Sequence, residues 1–177
     1  TAGPTREDID PVRYISNYSS GKMGHALAEA AYEAGAEVVL ISGPTNLIAP
    51  AKAKFIRVQT AEEMRQAVMQ QILGCDVFIA AAAVADYRPK NISSQKTKKN
   101  AAVISLELQR NPDILAEVAA LANRPFVVGF AAETDNVLKN AREKLENKNL
   151  DIIVANQVGK NLGFDSDENS VVLLYKN

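Results

Sequence analysis

Serine hydroxyls, an amide and two glycines crowd Ser16-Asn17-Tyr18-Ser19-Ser20-Gly21-Lys22-Met23-Gly24, which leads into an alanine-rich segment. Hydroxyls and free N–H groups at a helix N-terminus suit a phosphate or a carboxylate. The run is neither common phosphate loop. G-x-x-x-x-G-K lacks its first glycine here, and only Gly21 and Gly24 fit G-x-G-x-x-G. An ordinary helix cap, with Gly24 kept small for packing on a sheet, is the plainer account of the same residues. Lysines offer the complementary charge. At about 100° per residue, Lys148 falls inside the apolar arc of Val137, Leu138, Ala141 and Leu145, and Lys144 lies at its edge. The two amines either snorkel to a sheet rim or point together at an anion over it. Lys96-Thr97-Lys98-Lys99 is either a solvated loop or a mobile one that closes on a polyphosphate. Asp86 can hold a metal ion or a ligand hydroxyl, or cap a turn. Asp165 and Asp167 read as turn residues, His25 as structural or surface, and Cys75 as a small buried hydrophobe.

These groups must be held by elements that the pattern also predicts. Helices are expected over Lys22 to Ala34, stopped by Gly35; after a Thr60/Glu63 capping box; from Pro112, capped by Asn111, to about Ala122; and over Asp135 to Lys148. Strands are expected at Glu37 to Ser42, Asp76 to Ala83, Phe126 to Phe130, Asp151 to Ala155 and Val171 to Tyr175. Alternation of this kind, with apolar runs lacking polar interruption, predicts a three-layer α/β/α, Rossmann-like fold. Its sheet is mostly parallel, with helices on both faces. Ligands then sit at the carboxyl ends of the strands, where most of the unusual residues fall: Gly3 to Ser20, Ser42 to Pro50, Ala82 to Ala101, Ala131 to Asp135 and Asn156 to Gly163. Tyr87 to Ala101 reads as irregular.

Composition narrows the classes. A chain of 177 residues with 47% hydrophobic and 23% charged residues is a single domain able to bury a core, not a disordered one. The net charge of -1 argues against a general nucleic-acid or anionic-membrane binder. One Cys and one His leave no intrachain disulfide, no thiolate metal cage and no His-rich zinc site. The longest apolar run, Val77 to Ala85, is too short to span a bilayer. Thr1-Ala2-Gly3-Pro4-Thr5 reads as a loop just after a strand, in a piece of a longer polypeptide, with a cytoplasmic location expected.

Seven motifs stand in order: Thr1 to Arg6, Arg13 to Gly24, Ala81 to Tyr87, Lys96 to Lys99, Asn111 to Ile114, Val128 to Thr134 and Gly163 to Asn169. Together they closely resemble phosphopantothenoylcysteine synthetase, the ligase half of the bacterial bifunctional coenzyme A biosynthesis flavoprotein, over nearly the whole chain. The resemblance implies a single nucleotide-binding synthetase domain over 1–177 that joins 4'-phosphopantothenate to cysteine. It implies CTP as the nucleotide, an acyl-cytidylate intermediate, Mg²⁺ or Mn²⁺ and a homodimer. No metal-ligand motif is expected in the chain. The flavin-dependent decarboxylase domain, and its FMN, would lie upstream.

Residue by residue, the resemblance implies that Asn17 handles the acyl-cytidylate and that Arg13 belongs to the same motif. Lys96 matches the lysine of a flexible loop over the site. Ala80, Ala81 and Ala82 match strand-end backbone that contacts nucleotide, and Asp86 a nucleotide-binding acid. Pro112, Asp113, Ile114 and Leu115 match a nucleotide-contacting helix start, Phe130 an aromatic near the base, and Lys144 and Lys148 two further nucleotide lysines. The competing classes are an NAD(P)-dependent Rossmann oxidoreductase and a non-catalytic nucleotide-sensing module. No acidic residue ends the Glu37 to Ser42 strand to bind a ribose, which counts against the first.

Overall fold

The computed structural model describes residues 1–98, 102–157 and 169–176. In chain order, β1 (Arg6–Asp10) and β2 (Arg13–Ser16) form an antiparallel hairpin, followed by α1 (Lys22–Glu33), β3 (Val39–Ser42) and β4 (Lys54–Arg57). Next come α2 (Ala61–Gln71), β5 (Val77–Ala80), β6 (Tyr87–Pro89), β7 (Leu108–Arg110) and α3 (Ile114–Ala119). The chain continues through β8 (Phe126–Glu133), α4 (Val137–Asn147), β9 (Ile152–Gln157) and β10 (Val171–Tyr175).

Thr1–Thr5 is the keystone of the sheet. Ala2 bridges Ser42 and Pro4 bridges Ala83, both in parallel sense, with Ala2 N donating to Ile41 O and Ala83 N to Gly3 O. That segment therefore joins the β3–β4 pair to the β5–β8–β9 run, and β10 closes the far edge antiparallel to β9. The sheet is mostly parallel, as expected. Helices lie on both faces, unevenly. Ala28 of α1 packs with Ala2 and Leu40 on one face. Met64 and Val68 of α2, Leu115 and Val118 of α3, and Ala141 and Leu145 of α4 share the other face's core with Ile41, Phe78, Val127 and Ile153. Leu40 and Ile41, adjacent in β3, thus point to opposite cores, as the two-residue period of a strand requires. On the α1 face, an apolar cleft of about 810 Å³ lies between β3 and β5, lined by Leu40 and Val77 among others.

Local signals account for most element ends. Gly35, with φ +90°, follows α1, and its N–H reaches Tyr32 O. The Thr60/Glu63 capping box starts α2. Buried Glu7 adds a carboxylate at the same helix end, accepting from Ala61 N at 2.9 Å. Three expectations need correction. The third helix is capped by Asp113, not Asn111, and runs only six residues. Asp113 accepts from Ala116 N at 3.1 Å, whereas the Asn111 amide is taken up elsewhere. Thr1 to Thr5, expected as a loop, lies in the sheet itself, and the Gly3 to Ser20 strand-end segment goes on to pair Arg6–Asp10 with Arg13–Ser16 around a turn. Tyr87 to Ala101 begins as a strand, since β6 pairs antiparallel with β7.

Candidate active site at the strand carboxyl ends

The carboxyl ends of the Thr1–Thr5 segment, β3, β5 and β8 open on one edge of the sheet. At this edge α1 begins after Gly21, whose φ of +81° is a left-handed conformation that glycine adopts without strain. Gly21 N and Lys22 N meet the Ser19 and Ser20 hydroxyls at 3.3 and 3.4 Å. A Cβ on Gly24 would lie 2.5 Å from Ala2 Cβ, so this residue lets α1 press on the central segment. The packing account of Gly24 therefore holds. The same loop, with Pro44, Thr45 and Asn46, walls a polar pocket of about 610 Å³.

Asn17 ties that pocket to the end of β5. Its Nδ2 donates to Val84 O at 3.1 Å and lies 3.5 Å from Ala83 O. Buried Thr5 supports the same loop, accepting from Ala85 N at 3.0 Å, while Ser16 Oγ donates to Thr5 O at 2.7 Å. Ala80 pairs with Gly129 in β8, and Ala82 N donates to Thr1 Oγ1. Asn111 then fastens the next turn. Its Nδ2 donates to Ala85 O at 2.7 Å, its backbone N–H reaches Asp86 O at 2.8 Å, and its Oδ1 accepts from Arg88 at 2.6 Å.

Both lysines reach the sheet rim, each onto a partner in the chain. Lys144 Nζ donates to Phe130 O at 2.7 Å, and Lys148 Nζ pairs with the Asp113 carboxylate at 2.7 Å. Pro112 precedes the cap, and Ile114 and Leu115 are buried beneath it. Burial, and then the Lys148 charge, press the Lys144 amine below its ordinary pKa; Glu133, Asp113 and Asp86 act the other way. Burial pushes Asp113 up, but the hydrogen bond from Lys148 and that from Ala116 N outweigh it and leave its carboxyl below the usual range. Asp86, Asp113, Phe130, Lys144 and Lys148 therefore form one electrostatic cluster. The donor-rich loop before α1 lies across the β5 end from this cluster.

Arg13 and Lys96 stand on the hairpin side. The Arg13 guanidinium pairs with Asp10 and donates to Thr97 O at 3.1 Å. Lys96 is exposed. Asp10 is buried, and Arg13 holds its carboxyl well below the usual carboxylate range, against the burial that would raise it. Neither Asp10 nor Thr5 is singled out by residue type alone, and Asn111 is marked only as a helix cap. The Asp10-Pro11-Val12-Arg13 turn is the one sequence signal, because Asp before such a turn accepts from the backbone beyond it.

His25 is structural, as expected: its ring is buried, and Nδ1 lies 3.1 Å from Gly21 O, so that nitrogen carries the hydrogen. Cys75 is half-buried rather than buried, with its thiol on Val77 O. Lys99, Asp165, Asp167 and most of the Gly163 to Asn169 motif lie outside the described residues. Among the described residues no helix is long and apolar enough to cross a membrane, and no three His, Cys, Asp or Glu side chains group as a metal site.

The family described as the DNA/pantothenate metabolism flavoprotein C-terminal domain matches residues 1–177. The chain belongs to this family. It is 55% identical over 179 residues to the coenzyme A biosynthesis bifunctional protein CoaBC of Vibrio parahaemolyticus, and 51% identical over 181 residues to that of Escherichia coli. Each alignment covers 99% of this chain and 45% of the relative, so the chain spans under half the length of these proteins. A crystal structure of the C-terminal domain of a CoaBC superposes with a TM-score of 0.83 at 44% identity, covering 99% of this chain and 79% of that one. A DNA/pantothenate metabolism flavoprotein from Streptococcus pneumoniae, 22% identical, shares the fold with a TM-score of 0.78, covering 97% of this chain and 90% of that one. In this family domain, the donor-rich loop, the β5 end and the lysine pair share one rim.

Proposed function

We propose that this domain is a phosphopantothenate–cysteine ligase that uses CTP. The observation that carries the reading is the convergence of Lys144, Lys148, Asp113, Asp86 and Phe130 at the ends of β5 and β8. Membership of a family whose relatives are CoaBC proteins supports the choice of substrates. In the first step a carboxylate oxygen of 4'-phosphopantothenate attacks the α-phosphorus of CTP. The bond to pyrophosphate breaks, and an acyl-cytidylate remains. The nucleophile is already an anion, so this step needs charge cancellation and alignment rather than a general base. Lys144, Lys148 and Lys96 supply charge, Ala80 to Ala82 and the Pro112 to Leu115 turn contact the nucleotide, and Phe130 lies beside the base.

In the second step the cysteine amine attacks the acyl carbon, CMP leaves with the bonding electrons, and the nitrogen gives up a proton. Asn17, anchored on the β5 end, holds the acyl-cytidylate without titrating, and Arg13 supports the loop opposite. Mg²⁺ or Mn²⁺ would enter on the nucleotide's phosphates, as hard cations with few protein ligands do. It would spread the triphosphate charge.

A homodimer suits the exposed apolar side chains on the β6–β7 excursion: Tyr87, Ile92, Val103, Ile104, Leu106 and Leu108. The flavin decarboxylase domain belongs to the part of the relatives that this chain does not span, and the setting is cytoplasmic. The test is pyrophosphate release from CTP. Release that depends on 4'-phosphopantothenate, and exceeds release from ATP, is expected. Equal turnover with ATP overturns the choice of nucleotide. Release without the acid, or none, overturns the ligase reading.

A further inference from the structure

The Lys96 segment is fastened to the body of the domain through one buried acid. The two oxygens of Asp10 do different work. Oδ1 accepts from Val12 N at 2.9 Å and Arg13 N at 3.0 Å, closing the β1–β2 turn. Oδ2 accepts from Thr97 N at 3.1 Å, from Arg13 Nε at 3.1 Å and from Arg13 Nη2. Arg13 Nη2 returns to Thr97 O, and Ser93 N donates to Ile9 O at 3.0 Å. Residues 93 and 97 are therefore both pinned to the end of β1, with Lys96 between them. The carboxylate has no solvent exposure, whereas Lys96 is exposed.

We propose that Asp10 is a positioning residue for Lys96: its Oδ2, shared between Arg13 and the Thr97 amide, sets where the loop lysine stands over the site. The proposal rests on the reading of Lys96 as a ligand-binding lysine. Its geometry singles out one substitution. In Asp10→Asn the retained oxygen can keep the two turn bonds, while the new NH₂ group faces three donors at the old Oδ2 position. The turn survives and the Thr97 amide loses its acceptor. Asp10→Ser does the same by another route, leaving one hydroxyl for the turn and nothing for the loop.

The experiment is native-state hydrogen exchange on the chain and both variants, with steady-state synthesis from 4'-phosphopantothenate, cysteine and CTP beside it. In the wild-type protein the Thr97 amide should be protected. In D10N its exchange should quicken at least about tenfold, while the Val12 and Arg13 amides stay protected. The kcat for synthesis should fall about tenfold to a hundredfold, as expected for a misplaced group. Lys96→Gln should cost less in the D10N background than in the wild type, because Lys96 is then already displaced. A wild-type Thr97 amide that exchanges like free peptide overturns the proposal, whether or not the variants fold. So does D10N with unchanged Thr97 protection, or full additivity of D10N and K96Q. A wild-type chain that releases no pyrophosphate refutes the ligase reading instead, and the exchange data still decide whether Asp10 holds the loop.

Discussion

Replacing Asn17 by Asp changes one atom type and no volume, and the structure assigns that atom two neighbours of the wrong sign. The Nδ2 position lies 3.1 Å from Val84 O and 3.5 Å from Ala83 O. A carboxylate oxygen there removes a hydrogen bond worth about 1 kcal/mol and sets oxygen against oxygen. Asn17 is exposed, so the charge repulsion with carbonyls and with an acyl-cytidylate phosphate is screened to about a further 1 kcal/mol. The sum, about 2 kcal/mol, slows a step that needs this loop by roughly thirtyfold. The effect should concentrate in the second half-reaction, because the first depends chiefly on the lysines. Asn17→Ala loses the bond without the repulsion, and about fivefold is expected. Single-turnover reactions with labelled CTP, following pyrophosphate and CMP separately, resolve the two steps, and circular dichroism checks the fold. A folded N17D with both rates unchanged would make Asn17 a loop tie with no part in the chemistry. An N17A as slow as N17D would remove the repulsion from the account.

Two stability predictions follow from the sheet. A Cβ on Gly43 would fall 1.8 Å from Pro4 O, so Gly43→Ala must force the Thr1–Thr5 segment off β3; a loss of about 3 kcal/mol in urea unfolding is expected, and an unchanged midpoint refutes the close approach. Asp151 takes two hydrogen bonds from Arg124, at 2.6 and 2.9 Å, and one from Val127 N at 2.7 Å. The hydrogen bond from Arg124 lowers the Asp151 pKa, with burial opposing and Val127 N assisting. Asp151→Ala should therefore cost about 2–3 kcal/mol at neutral pH. A carboxylate depressed in the folded state stabilises above its unfolded pKa of about 3.9 and loses that contribution as pH falls through the folded value, so the gap between variant and parent should close steadily below about pH 4. A gap that is constant from pH 7 to pH 3 contradicts the ion pair.

Local rules are enough for what lies close along the chain. The Thr60/Glu63 box and the stop at Gly35 each depend on residues within about a turn or two of one another, and they appear where the sequence places them. The parallel sheet follows from apolar runs alternating with helical stripes, and the strand-end rule then marks the edge where the polar residues gather. What the sequence leaves open is which atom meets which across long separations. Asn111 and Asp113 are both good caps by residue type. The choice is made by Ala85 O and Arg88, about two dozen positions away, which hold the Asn111 amide and leave the cap to Asp113. The short strands of the two hairpins carry too few residues to show a period, so their pairing waits on register with a partner. Asp10 shows the same limit at the site. By sequence it is an acid before a turn, yet tertiary structure brings Thr97 to its second oxygen from 87 residues away, and that contact, with Arg13 on Thr97 O, joins the turn to the lysine loop.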